Sequence, residues 1–349
     1  MKVLVTGAAG YIGSHACMEL LVAGHEVYGV DSLHNGHIEA IDRVKRLSNK
    51  PLQFSQLDIR NGNALDNVFK AFMPEVVIHF AGLKAVSEST TAPLEYYSVN
   101  VCGSMSLLKA MDRAGCSNIV FSSSATVYGH PDYLPYDELH PTGPVNPYGR
   151  TKLMVEEILR DWTAASSSCR STVLRYFNPV GAHPSGLLGE DPLEIPNNLM
   201  PYIAQVAMGK REVLNVFGSD YNTVDGSGVR DYIHVMDLVR AHILAIEQQE
   251  KLDQFEVINL GTGFGTSVLE LVKTFKVESS SEVPIKFAPR RDGDLASSWA
   301  NATKAFDKLG WKTVFTIAEM CKHTWAWQLN NKNGYATKSY KKITAKKEM

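Results

Sequence analysis

Tyr148 and Lys152 stand four residues apart in Tyr148-Gly149-Arg150-Thr151-Lys152, a spacing that puts both side chains on one face of a helix. A phenol with an ordinary pKa of about 10 is a poor base at neutral pH. A neighbouring ammonium favours its phenolate, as does the positive ring of an oxidised nicotinamide. Ser124 lies just past the apolar run Asn118–Ser122, where its hydroxyl can bridge the phenol and a substrate oxygen. Such a set suits removal of a proton from an alcohol. Near the start of the chain, Val3-Leu4-Val5-Thr6-Gly7-Ala8-Ala9-Gly10-Tyr11-Ile12-Gly13 reads as a strand, a glycine turn and a helix start. Glycines let that backbone turn tightly and approach a pyrophosphate, whose charge meets free N–H groups at the helix start. The spacing is G-x-x-G-x-x-G rather than G-x-G-x-x-G. Asp31, closing the second apolar run, sits where an acid meets an adenosine ribose, and its charge disfavours a 2′-phosphate. Together these residues predict a dinucleotide site with NAD preferred over NADP.

Positioning that chemistry requires a layered scaffold. Strands are expected at Lys2–Thr6, Glu26–Asp31, Leu52–Gln56, Glu75–Ala81, Asn118–Ser122 and Ser171–Asn178, with Val257–Leu260 as a later one. Helices are expected at Ile12–Ala23, Ile38–Leu47, Ala64–Phe72, Pro93–Ala114, Tyr148–Ala165 and Ser267–Phe275. This alternation predicts an α/β fold, a Rossmann-type doubly wound parallel sheet with a smaller mixed α/β substrate-binding lobe. The expected division is a cofactor domain over 1–178, rejoined by about 230–262, and a smaller domain over 179–335. From Pro179 to about Val229 the many Gly, Pro and Asn residues suit enclosing loops better than a second regular sheet. Residues 336–349, with five lysines from Lys338 onward, read as a solvated, disordered tail.

Composition narrows the partners. In 349 residues, 35 Lys and Arg against 37 Asp and Glu leave a net charge of −2, without the basic excess of a nucleic-acid binder. The five cysteines, Cys17, Cys102, Cys116, Cys169 and Cys321, show neither metal-type spacing nor a disulfide framework. No apolar run approaches the ~20 residues of a membrane span, so a cytoplasmic protein without metal, membrane or nucleic-acid partners is expected.

The glycine loop, Phe121-Ser122-Ser123-Ser124-Ala125-Thr126-Val127-Tyr128-Gly129 and Tyr148–Lys152 resemble the extended short-chain dehydrogenase/reductase superfamily. Leu174-Arg175-Tyr176-Phe177-Asn178-Pro179-Val180-Gly181-Ala182-His183, Ile195-Pro196-Asn197-Asn198-Leu199-Met200-Pro201, Gly228-Val229-Arg230-Asp231-Tyr232-Ile233-His234 and Arg290-Arg291-Asp292-Gly293-Asp294 narrow this. They resemble the UDP-glucose 4-epimerase family, and the resemblance runs over residues 1 to 335.

The resemblance implies NAD as cofactor, UDP-galactose and UDP-glucose as substrates, and C4 epimerisation through a 4-keto sugar. It implies Tyr148 as base, Lys152 as the residue that binds the nicotinamide ribose and lowers the tyrosine pKa, and Ser124 as hydroxyl partner. For the cofactor it points to Gly7, Gly10, Tyr11, Ile12 and Gly13, then to Asp31, Ser32, Leu33, Asn35 and Gly36. Asp58 and Ile59 match an adenine contact, and Phe80, Ala81, Gly82 and Lys84 a stretch along the cofactor. Ser122, Tyr148, Lys152 and Phe177 complete that set. Lys84, Ser124, Tyr148, Asn178, Asn198, Leu199, Phe217, Arg230, Arg291, Asp294 and Ser298 match UDP-sugar positions. Two arginines suit a diphosphate through charge-assisted hydrogen bonds. At Ser298 some members carry a tyrosine near the sugar C2 substituent, and the missing ring leaves space for an N-acetyl group. Val99 stands where some members have asparagine, so no cofactor role is assigned there.

Two other readings compete. A nucleotide-sugar 4,6-dehydratase needs an acid/base pair after the active-site serine or threonine, and Ser124-Ala125-Thr126 supplies no carboxylate. A non-enzymatic NAD-binding regulator has no need of an intact Ser–Tyr–Lys set. The helices over 93–114 and 148–165 are apolar around much of their circumference. The first carries a stripe of Leu94, Tyr97, Val101, Leu108 and Met111. The resemblance implies that these two helices form the interface of a homodimer.

Overall fold

The computed structural model describes residues 1–193, 196, 198–291 and 293–335, so the expected disordered tail lies outside the described residues. The chain begins β1 (Lys2–Thr6), α1 (Tyr11–Val22), β2 (Glu26–Asp31), α2 (Ile38–Ser48), β3 (Gln53–Gln56), α3 (Gly62–Phe72) and β4 (Val76–His79). It continues through α4 (Val86–Thr91), α5 (Pro93–Tyr96), a π-helical turn (Tyr97–Cys102), α6 (Gly103–Ala114), β5 (Asn118–Ser124), α7 (Pro147–Ala164) and β6 (Arg170–Tyr176). One further strand of the same sheet, β11 (Phe255–Leu260), comes much later.

These strands form one parallel sheet in the order β11-β6-β5-β4-β1-β2-β3. Its strands read as nearly continuous apolar runs because both faces are covered. Val3, Val5, Val76, Ile78, Val120, Leu174 and Ile258 point into one core with residues of α1 and α2. Leu4, Val30, Val77, Ile119, Phe121 and Val173 point into the other with α3, α6 and α7. The strand order reverses between β1 and β4. Open α/β sheets bind ligands at such a reversal, beyond the carboxyl ends of the strands. The loops leaving β1, β4 and β5 open there.

The chain between β6 and β11, and after β11, builds the rest. It holds β7 (Asn178–Val180), α8 (Leu199–Ala207), β8 (Leu214–Phe217), β9 (Val229–Arg230), β10 (Tyr232–His234) and α9 (Val235–Glu247). After β11 come β12 (Thr266–Ser267), α10 (Val268–Ser279), β13 (Ile285–Ala288), β14 (Ser297–Ser298), α11 (Thr303–Leu309) and α12 (Ile317–Asn330). β7 pairs with β10, β8 with β13, and β9 lies between β12 and β14. A separate core gathers Met200, Ile203, Val216, Leu271, Phe275 and Met320.

Three expectations need correction. The segment 179–229 is not loops alone: α8 and β8 lie within it, and the apolar side of α8 packs into that separate core. The expected single helix Pro93–Ala114 is interrupted by the π turn, which changes the phase of its faces. Its first part buries Tyr96 and Asn100 while Leu94 stands 82% exposed, so the stripe that Leu94 begins is buried only farther along, at Leu108 and Met111, with Val101 packed against the same core. The expected strand Ser171–Asn178 ends at Tyr176, and Asn178 opens β7 in a different sheet.

Candidate active site

The glycine loop closes so tightly that side chains are excluded from it. Gly7 has φ +70°, and a Cβ there would lie 2.7 Å from the Ala81 nitrogen; one on Gly13 would lie 2.0 Å from the Gly7 carbonyl oxygen. Gly10 caps α1 with no side-chain hydrogen bond, and no acid occupies the first turn. The Tyr11 and Ile12 end of α1 thus keeps its positive pole and free amides for an anion. Asp31, at the carboxyl end of β2, accepts from the amides of Ala9 (3.0 Å) and Leu33 (2.7 Å). Burial raises its pKa, and these amide hydrogen bonds oppose the shift. Ser32, Leu33, Asn35 and Gly36 line the turn that follows; Gly36 packs on Ala9, and Asn35 accepts from the Leu193 amide at 3.4 Å. Asp58 and Ile59 lie after β3, where Arg60 holds Asp58 at 2.7 Å and Ile59 is buried against Gly103. A cradle that a Cβ would fill, an uncapped helix start and an acid at the next strand fit a dinucleotide with an unphosphorylated adenosine ribose.

Beside this cradle the loop after β4 runs through Phe80, Ala81, Gly82 and Lys84. Ala81 donates its amide to Thr6 Oγ1 at 3.2 Å, and Phe80 packs on His242. One strand further, Ser124 ends β5 and accepts from the Thr126 amide (3.2 Å) and hydroxyl (3.0 Å). Asn146 caps α7 by accepting from the Gly149 amide at 2.8 Å, and Pro147 opens the helix. Tyr148 therefore sits in the first turn, one turn ahead of Lys152. The Lys152 ammonium donates to the Ser122 carbonyl at 2.7 Å and lies 5.9 Å from the Tyr148 ring centre. Ser122 Oγ also meets the Tyr176 hydroxyl, and Phe177 is buried at the turn between β6 and β7.

In the protein alone, Lys152 is not among the groups that shift the Tyr148 phenol. Burial pushes Tyr148 up to about 12, and the opposing influence is the Ser124 hydroxyl. Burial brings Lys152 down to about 8, against the pull of Glu156. The ammonium is directed at a carbonyl rather than at the phenol.

The second cluster is ionic. Asp294 accepts from Arg230 Nη2 at 2.5 Å, and from Arg291 Nη2 at 2.9 Å and Nε at 3.2 Å. The Arg291 guanidinium lies 4.9 Å from the Phe217 ring centre. Ser298 is paired with Arg230 in register between β14 and β9, with a small side chain 9% exposed. Asn178 and Leu199 open β7 and α8.

A family model described as GDP-mannose 4,6 dehydratase matches residues 4–324. The UDP-glucose 4-epimerase of Bacillus subtilis (strain 168) is 54% identical over 335 residues, covering 96% of this chain and 99% of that protein. The chain belongs to the UDP-glucose 4-epimerase family. Among solved members, the enzyme from Stenotrophomonas maltophila, with bound NAD and formylated UDP-arabinopyranose, superposes with a TM-score of 0.92. It is 49% identical and covers 95% of this chain and 99% of its own. The Bifidobacterium longum enzyme, in complex with NAD+ and UDP, gives 0.92 at 47% identity, covering 96% of this chain and 100% of its own. No helix among the described residues is long and apolar enough to cross a membrane.

Within this family site, three features escaped the sequence reading. Asn100 accepts from the Leu83 amide (2.8 Å) and donates to the Leu83 carbonyl (3.0 Å) and to Thr151 Oγ1 (3.0 Å). Thr151 in turn donates to the Tyr148 carbonyl at 2.7 Å, so one amide ties the loop after β4 to the first turn of α7. Glu190 accepts from Lys84 Nζ (2.8 Å) and from Asn198 Nδ2 (2.7 Å), joining two expected site residues through a third. Glu156 and Arg175 form a buried ion pair, Nη2 to Oε2 2.6 Å, that also receives the Ser123 hydroxyl. A buried asparagine in an apolar helix was the one available sequence signal; the acids gave none.

Proposed function

We propose that the chain interconverts UDP-galactose and UDP-glucose by inverting C4 of the sugar through a 4-keto intermediate. The reading rests on one arrangement: Ser124, Tyr148 and Lys152 at the carboxyl edge of the sheet, beside the strand reversal that carries the glycine loop. Bound NAD supplies the acceptor that takes the C4 hydride and gives it back to the opposite face. Tyr148 removes the 4-hydroxyl proton and later returns it. Ser124 holds the same oxygen, and Lys152 holds the nicotinamide ribose and adds positive charge. Gly7, Gly10 and Gly13 with the start of α1 receive the cofactor pyrophosphate, and Asp31 its ribose. Arg230 and Arg291 hold the substrate diphosphate, with Asn178, Asn198, Leu199 and Phe217 around the nucleotide. Firm attachment through the diphosphate leaves the sugar free to turn between the two hydride transfers.

Ser298 favours a wider substrate range. Its small side chain, in register with Arg230, leaves room at the sugar C2 position, so UDP-N-acetylglucosamine and UDP-N-acetylgalactosamine are interconverted as well. A homodimer is also part of the reading. Leu94, Met105 and Met154 are apolar yet exposed on α5, α6 and α7. A second copy covering the helices over 93–114 and 148–165 would bury them.

The test is product analysis after incubation with UDP-galactose and no added NAD. Epimerisation yields UDP-glucose of unchanged mass. A product lighter by one water would establish a dehydratase, and retained NAD without any product a regulator.

A further inference from the structure

Ser124 carries the hydroxyl that faces the reacting oxygen in the proposed reaction, and the residue two places on limits what that hydroxyl does. The Ser124 oxygen accepts from the Thr126 amide at 3.2 Å and from Thr126 Oγ1 at 3.0 Å. A serine oxygen has two acceptor lone pairs and one proton. Thr126 alone therefore fills both lone pairs, and both of these bonds leave the Ser124 proton unspent. The titrating group on which the Ser124 hydroxyl acts is the Tyr148 phenol, whose pKa it lowers against the effect of burial.

The threonine is held firmly in this place. Ala125–Val127 form one 3₁₀ turn, capped by the same Ser124 oxygen. Val127 and Tyr128 are buried behind it. In front, the Thr126 carbonyl lies so near the first turn of α7 that a Cβ on Gly149 would meet it at 2.8 Å. The turn is thus wedged against the helical turn that carries Tyr148. A valine or alanine at 126 would still offer the backbone amide, but one lone pair of Ser124 would be free. Its hydroxyl could then rotate to accept from the phenol or from the sugar 4-hydroxyl. That is the wrong polarity for a site where a phenolate and a developing alkoxide need donors already in place.

We propose that Thr126 is a positioning residue for the reaction: by filling the second lone pair of Ser124, it makes that hydroxyl a donor only, toward the Tyr148 oxygen and the sugar 4-oxygen. The proposal deepens the epimerase reading and rests on it. With Ser124 restricted to donating, the sugar 4-hydroxyl sends its proton directly to Tyr148. The sugar O–H bond breaks as the Tyr148 O–H bond forms, and the transfer reverses in the second half of the reaction. Ser124 donates to whichever oxygen is negative and takes up no substrate proton itself.

Thr126→Val keeps the side-chain shape and removes one oxygen. With UDP-galactose its kcat falls about ten-fold at neutral pH, while KM and NAD content stay within about two-fold of the parent. The pH profile carries the signature. A weaker donor raises the Tyr148 pKa, and the base acts deprotonated, so the acid limb of kcat moves up by about one pH unit. Thr126→Ser, which restores the oxygen without the methyl, returns both kcat and the limb to the parent. In a Ser124→Ala background, Thr126→Val costs nothing further. Should the valine variant fail to fold, Thr126→Ala against Thr126→Ser makes the same comparison. An active parent whose kcat and pH profile survive loss of the Thr126 hydroxyl overturns the proposal alone. So does a loss that Thr126→Ser fails to restore, or one that persists beside Ser124→Ala. A parent that does not epimerise UDP-galactose overturns the functional reading, and the proposal with it.

Discussion

On the proposed reading, the glycine cradle and the arginine cluster would meet two anions by opposite means. At the cradle, backbone amides and a helix start are fixed by the sheet, and no side chain must move before a pyrophosphate enters. At the cluster, Arg230 and Arg291 share the single carboxylate of Asp294, and Lys84 is paired with Glu190. A ligand there displaces an internal partner before it gains its own. The first design suits a group that stays bound through many turnovers. The second suits one that comes and goes, because the ion pairs re-form behind it and make up part of what is lost on release.

Gly13→Ala strikes the fixed half, and the largest effect is expected from it. The new Cβ would meet the Gly7 carbonyl oxygen at 2.0 Å, a backbone atom that cannot rotate away. Loss of NAD from the purified protein and destabilisation by more than about 3 kcal/mol are expected, read by absorbance and by urea unfolding. A protein that kept its NAD after this change would mean that the cradle is not fixed. Tyr148→Phe comes next. It should lower kcat by roughly 10²–10⁴-fold while NAD is retained, since the hydroxyl acts in proton transfer and not in holding the cofactor. Unchanged kcat would remove Tyr148 from the mechanism. Arg291→Ala should have the smallest effect, about a ten-fold rise in KM for UDP-galactose with NAD content unaffected. Arg291 is largely exposed, so part of its charge is screened by solvent. An effect on NAD content as large as that of Gly13→Ala would erase the distinction between the two halves.

The same division governs how much could be read from sequence. The strands and glycines of the first half announce themselves locally, through apolar runs of strand length and through residue types that only a tight turn requires. β1 and β2 have the expected bounds, and Tyr148 and Lys152 share the expected helix. In the second half the strands outside the main sheet are short and their partners distant. α8, α9 and α12 went unread, although α9 is apolar around most of its surface, because a helix buried on several sides has no polar stripe to give it away. The pairs Lys84–Glu190 and Arg230–Asp294 join residues far apart in the chain, and no periodicity encodes them. The direction of the Lys152 ammonium was hidden for a related reason. The four-residue spacing gives the lysine its face, whereas the carbonyl of Ser122 decides where its ammonium is directed.

The position of β11 sets a schedule for synthesis. Strand β6 is complete at Tyr176, but the neighbour that covers its outer edge is not made until Phe255–Leu260. At about 5–20 residues per second, the ribosome needs several seconds to cover that distance. Throughout that time a nascent chain presents an open, apolar edge of the kind that invites pairing with another chain. The segment between β6 and β11 is the delay between the two strands. Lengthening it extends the hazard, and a fragment ending near residue 180 never leaves it.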